Sequence, residues 1–183
     1  MIIAPNSALL VVDVQNDFVT GSLAVPGATQ ALDYINSYIA SFDDKECPII
    51  FTKDFHKVDH PSFAQYGGIW PPHCIVNSWG GKHPDELDVD GAYERVTILK
   101  GYDKEAYSGF EGTPLHLYLK YHEILNLYIC GLATDYCVKA TVLDALNKIQ
   151  GQVFLLTNAC AGVDPTTTGQ AIAEMRDAGV QLV

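Results

Sequence analysis

The sequence has no run of 18 uninterrupted apolar residues, which removes a membrane-spanning helix. It is poor in positive charge, with 11 Lys and Arg against 22 Asp and Glu and a formal net charge of −11. Such a field repels phosphate backbones and anionic lipid, so nucleic acid and membrane surfaces are excluded as partners and a neutral or cationic small molecule fits better. No basic region precedes the first apolar stretch, MIIAPNSALLVVDVQNDF, which meets Asp13 after one short run. It reads as a buried strand and not a signal peptide, and a cytoplasmic protein is expected. There is no disulfide framework either: the cysteines, at 47, 74, 130, 137 and 160, are odd in number and irregular in spacing. They are read as thiols, at least one of them a candidate for reaction. No repeat, low-complexity tract or Gly/Ser/Pro-rich linker divides the chain, so residues 1–183 are expected to form one domain. Whether it forms a homo-oligomer is left open.

What is present alternates in type. Short β-rich runs fall at Ala8–Val14, Pro48–Thr52, Arg95–Lys100, Ile124–Cys130, Gln152–Thr157 and Val180–Val183. Between them, Leu32, Ile35, Ile39 and Phe42 recur at three- and four-residue steps, as do Val138, Val142, Ala145, Leu146 and Ile149, so each set makes one apolar helical stripe. Gly151 and Gly179 sit where a left-handed residue closes a helix, and Asp164-Pro165 reads as an N-cap followed by Pro at the first helical position. The pattern predicts an α/β domain, Rossmann-like and three-layered, with a mostly parallel sheet of about six strands flanked by helices. Residues 53–94 break the rhythm, being rich in Pro, Gly, His and Trp and poor in periodicity. Irregular stretches of that length are usually functional, and this one is expected to build a site.

Ligands of open parallel sheets bind beyond the carboxyl ends of the strands. Asp13, Asp54, Lys100 and Cys137 all fall at or just after such ends. Cys137 follows an apolar strand, a Gly turn and a Thr134-Asp135 pair read as a cap, which puts it in the first turn of a helix. There the helix dipole and free amides favour a thiolate and offer donors to an oxyanion. No histidine lies near Cys137 in sequence, so Asp13 is the candidate proton carrier and Lys100 the candidate cation holding sulfur and carboxylate together. The alternative for that pair is a structural ion pair. Cys47, Cys130 and Cys160 read as small buried hydrophobes.

Three of the six histidines lie between positions 56 and 73. Asp54-x-His56 sets a carboxylate and an imidazole on one side of an extended chain. With His60 and His73 they form a donor set suited to a divalent Zn, Fe or Mn ion, and scattered surface histidines are the alternative. His83, His116 and His122 read as surface residues. Phe18, Trp70 and Tyr107 could wall a flat pocket, although any one such aromatic is more often core packing.

The segments VVDVQNDF, GSLAVPG, TKDFH, WPPHC, AYSGFEGT and GLATDYCVKAT run in order along most of the chain. Together they resemble the nicotinamidase branch of the isochorismatase-like cysteine hydrolases. The resemblance implies hydrolysis of nicotinamide, and of pyrazinamide as well, to the acid and ammonia through a thioester, as in NAD salvage. It implies Asp13, Lys100 and Cys137 as a catalytic triad, with Ala133 and Cys137 amides forming an oxyanion hole after a cis Leu132–Ala133 peptide. It implies one divalent ion per chain, zinc foremost, held by Asp54, His56, His60 and His73, and substrate contacts from Phe18, Trp70 and Tyr107. Relatives often carry His where Tyr136 stands here. A related amidase for another small amide, and a ligand-binding member without catalysis, are the competing readings.

Overall fold

The computed structural model describes residues 3–91 and 93–183; Met1, Ile2 and Ala92, which fall within the expected domain span, lie outside the described residues. Six parallel strands form one sheet in the order β3-β2-β1-β4-β5-β6. They are β1 (Ser7–Val12), β2 (Ile49–Asp54), β3 (Arg95–Lys100), β4 (Asn126–Leu132), β5 (Gln152–Ala161) and β6 (Gln181–Leu182). β1 lies at the centre and is buried along its whole length, which is why it reads as a continuous apolar run without alternation. Its odd positions Leu9 and Val11 join one core and its even positions Ala8, Leu10 and Val12 the other.

Helices cover both faces. α1 (Asn16–Val19) and α2 (Ala28–Asp43) lie on the first, where Leu32, Ile35, Ile39 and Phe42 all point into the core as their spacing requires. α3 (Leu115–Tyr121), α4 (Lys139–Lys148) and α5 (Pro165–Asp177) cover the second. α5 starts as expected, with Asp164 Oδ1 accepting from the amides of Thr166 at 2.8 Å and Thr167 at 3.2 Å and Pro165 at the first position. Gly179 closes it with φ +108°. Gly151 has a different reason. It takes no left-handed conformation; α4 ends at Lys148, and a side chain at 151 would strike the Leu125 carbonyl where β4 and β5 begin. No helix among the described residues is long and apolar enough to cross a membrane.

β1 and β4 stay paired to Val12 and Gly131, but the connections that follow run to opposite faces, one leading to α2 and the other to α4, and leave a crevice beyond the strand ends. Gly131, with φ +118°, sits at that point because any Cβ would run into the Val12 backbone. The 53–94 region folds over this end. Its order comes from isolated bridges, His56 to Ile75 and Phe63 to Trp70, a 3-10 turn at Ala64–Tyr66 and further hydrogen-bonded turns such as Lys82 to Trp79 and Leu87 to Pro84.

Candidate active site

Four strand ends deliver four side chains to the crevice floor. Asp13 follows β1, Asp54 and Lys100 close β2 and β3 as register partners, and Cys137 follows β4. The Lys100 ammonium lies 2.8 Å from Asp13 Oδ2, 2.5 Å from Asp54 Oδ1, 2.8 Å from the Ala106 carbonyl and 3.6 Å from Cys137 Sγ. Donor atoms of Asp13, Asp54 and Cys137 come within 4.8 Å of one another. All four residues are buried. Asp13 is held in the left-handed region, φ +49°, and Thr52 fixes it there. The Asp13 amide donates to the Thr52 carbonyl at 3.1 Å, and the Thr52 hydroxyl donates to Asp13 Oδ1 at 2.7 Å.

The charges follow from burial and neighbours. Burial raises the Asp13 carboxyl above the ordinary carboxylate value, Lys100 pulling the other way. Burial acts on Asp54 in the same sense, but Lys100 and His56 outweigh it and hold its carboxyl well below that value. Although burial alone would weaken it, the Lys100 ammonium is held well above its usual pKa by the two carboxylates. Cys137 departs from expectation. Burial pushes its thiol well up, and the Asp13 and Asp54 charges add to that against the pull of Lys100. These surroundings favour the thiol over the thiolate.

The local helix explains part of this. Thr134–Val138 form a π-helical turn before α4, with Ala133 in the cap position and no side-chain cap. Asp135, expected to cap that turn with Thr134, faces away. It accepts from the Val163 amide at 3.0 Å and from the Thr167 hydroxyl, tying the cysteine turn to the start of α5. The Leu132–Ala133 peptide is cis.

The histidines gather beside Asp54. One donor atom each from Asp54, His56 and His73 lies within 4.8 Å of the others, and the His60 ring stacks on His56 at 4.2 Å between centroids, outside that triplet. His56 Nδ1 meets the Gly101 carbonyl at 2.5 Å and His73 Nδ1 meets the Pro71 carbonyl at 2.8 Å. Since a carbonyl only accepts, both Nδ1 atoms carry the proton and each Nε2 is left as the ligand atom, that of His56 lying 3.5 Å from Asp54 Oδ2. His60 Nδ1 sits 2.7 Å from the Ser62 hydroxyl, and its Nε2 is buried without a partner. Burial lowers the pKa of His60 and His73, which favours the neutral ligand form. A carboxylate and two imidazoles within 4.8 Å of one another, with the His60 ring stacked beside them, fit a divalent ion.

Above the floor lies a small, predominantly apolar crevice. Phe18, Trp70 and Tyr107 line it, together with Asp54, His56, His73, Ala133 and Cys137. Tyr136 also lines it, its ring 5.2 Å from Trp70 and 5.9 Å from Tyr107 between centroids. Two supports escaped the sequence reading. The buried Gln15 amide donates to the carbonyls of Asp54 and Gly81, and its oxygen accepts from the Asp54 amide at 2.8 Å. Asp17 accepts from the Cys74 amide at 2.8 Å. Polar side chains inside a buried run were the available signal, since such groups must find partners. His83 corrects the surface reading. It is mostly buried, with Nδ1 2.7 Å from the Val14 carbonyl, and burial lowers its pKa to about 4. His116 is exposed and His122 pairs with Glu94 at 3.3 Å.

Fold and site together define a hydrolase of the parallel α/β class. The isochorismatase domain matches residues 7–183, and the chain belongs to that family. It is 41% identical over 186 residues to the nicotinamidase/pyrazinamidase of Mycobacterium tuberculosis, covering 96% of this chain and 97% of that one. The pyrazinamidase of Pyrococcus horikoshii, solved in complex with zinc, superposes with a TM-score of 0.91 at 42% identity, covering 98% of this chain and 99% of that one. PnC1 from L. infantum, solved in complex with nicotinate, gives a TM-score of 0.88 at 30% identity over 100% and 95% of the two chains.

Proposed function

We propose that this chain hydrolyses nicotinamide to nicotinate and ammonia, and acts on pyrazinamide by the same route. The observation that carries the proposal is the Lys100 ammonium in contact with Asp13, Asp54 and Cys137 at the floor of an aromatic crevice. The names of the relatives above support the choice of substrate.

Cys137 Sγ attacks the carboxamide carbon while Asp13 takes the thiol proton, a transfer suited to a carboxyl whose pKa burial has raised. Sulfur becomes a nucleophile only as it reacts, so no thiolate has to be maintained in a buried, acidic setting. The amides of Ala133 and Cys137 take the developing oxyanion. The C–N bond then breaks, Asp13 returns its proton to the leaving nitrogen, and ammonia departs from a thioester on Cys137. Water, deprotonated by Asp13, adds to the thioester carbon; the C–S bond breaks, the thiol is restored and nicotinate leaves. Lys100 holds its position through both halves, keeping carboxylate and sulfur together. Phe18, Trp70, Tyr107 and Tyr136 close on the faces of the ring and exclude water.

Asp54, His56, His73 and the orphaned His60 Nε2 would hold a divalent ion, zinc by this reading, which supplies a positive centre to fix the pyridine nitrogen. In the test, metal-loaded protein releases ammonia from nicotinamide, a chelator stops it and added zinc restores it. Cys137→Ala and Asp13→Asn are expected to lose roughly a thousandfold or more. Metal-loaded protein that releases no ammonia overturns the proposal.

A further inference from the structure

Glu105 stands at the rim of the crevice, exposed to solvent yet lining it. Its Oε1 accepts from the Tyr107 hydroxyl at 2.7 Å and the Trp70 indole N–H at 3.2 Å, and Trp70 donates to Tyr107 at 3.0 Å. A long, flexible side chain is thus pinned between two of the rings that wall the site. Apart from Asp54 on the floor, it is the one acidic side chain among the described residues that line the crevice. The reaction proposed above turns a neutral amide into an anion. The floor sets the Lys100 ammonium against the Asp13 and Asp54 carboxylates, a divalent ion held there would make it attractive to that anion, and Glu105 is the acidic group at the rim that opposes it.

We propose that Glu105 is a specificity-determining residue that discriminates the neutral amide from its carboxylate product, its charge fixed at the rim by Trp70 and Tyr107. This rests on the nicotinamidase reading. The effect is a matter of charge and distance: one unit charge several ångströms from another across solvent-exposed space is worth about a threefold change in affinity. It weakens the hold on product without weakening the hold on substrate, so product leaves and the acid competes poorly with the amide.

The test is calorimetric titration of the metal-loaded protein with nicotinate and with 3-acetylpyridine, a neutral ketone of similar shape that cannot be hydrolysed. Glu105→Gln keeps the acceptor oxygen and removes the charge. It is expected to tighten nicotinate about threefold relative to the ketone, with the gain shrinking in high salt. Glu111→Gln, which removes the same charge from a site outside the crevice, leaves the ratio unmoved. A Glu105→Gln ratio equal to that of the wild type, or the same change in Glu111→Gln, overturns the proposal. Turnover of nicotinamide is read separately, so protein that binds both ligands but releases no ammonia counts against the functional reading alone. Protein that binds neither ligand counts against both.

Discussion

At Lys100 one ammonium serves three groups, and the chemistry of the site follows from that sharing. With side-chain exposure of 0% for Lys100 and Asp13 and 7% for Asp54, none of these charges is relieved by water. Lys100 keeps two carboxylates in one buried space and leaves the thiol the neutral member of the cluster. Lys100→Ala would strand both acids, and removing one partner of a buried ion pair costs about 3–5 kcal/mol. Urea unfolding of the metal-free protein is expected to show a loss of that size, with a smaller one for Asp13→Asn, which removes a charge together with its need for a partner. A Lys100→Ala loss under about 1 kcal/mol would mean that the cluster is not electrostatically coupled.

Among the elements, the glycines separate close approach from free space. Gly131→Ala forces a Cβ into the Val12 backbone between β1 and β4, and overpacking of this kind costs about 1–3 kcal/mol, with the φ of +118° adding to it. Gly169, inside α5 with nothing within 4 Å of its added Cβ, is the opposite case, and Gly169→Ala is expected to gain about 0.5–1 kcal/mol. Thermal unfolding of the pair should move in opposite directions; a shift of the same sign would refute the assignment of Gly131 as a contact point. The sequence pattern made most of these elements legible, because strand runs and helical stripes are local. β2, β3 and the first strand ended within a few residues of expectation, and Asp164 capped α5 as read. What a local pattern cannot carry is long-range. Gly151 answers to Leu125, Asp135 to the far loop at Val163, His83 to Val14, and the Cys137 thiol to acids contributed by β1 and β2. The histidine cluster was visible as composition, but the carbonyls of Pro71 and Gly101 that set two of its tautomers were not.

Over the whole molecule, sheet order does the assembling. Placing β1 beside β4 brings residue 13 next to residue 137, and placing β2 and β3 alongside brings 54 and 100 to the same edge. The 53–94 region then adds histidines and Trp70 from above. The central claim is that Cys137 carries the acyl group during turnover. Intact-protein mass spectrometry of samples quenched within the first turnovers of nicotinamide tests it directly. The expected result is a nicotinoyl adduct that maps to Cys137 and vanishes in Cys137→Ala. An adduct on another residue, or steady ammonia release from Cys137→Ala, would contradict the claim.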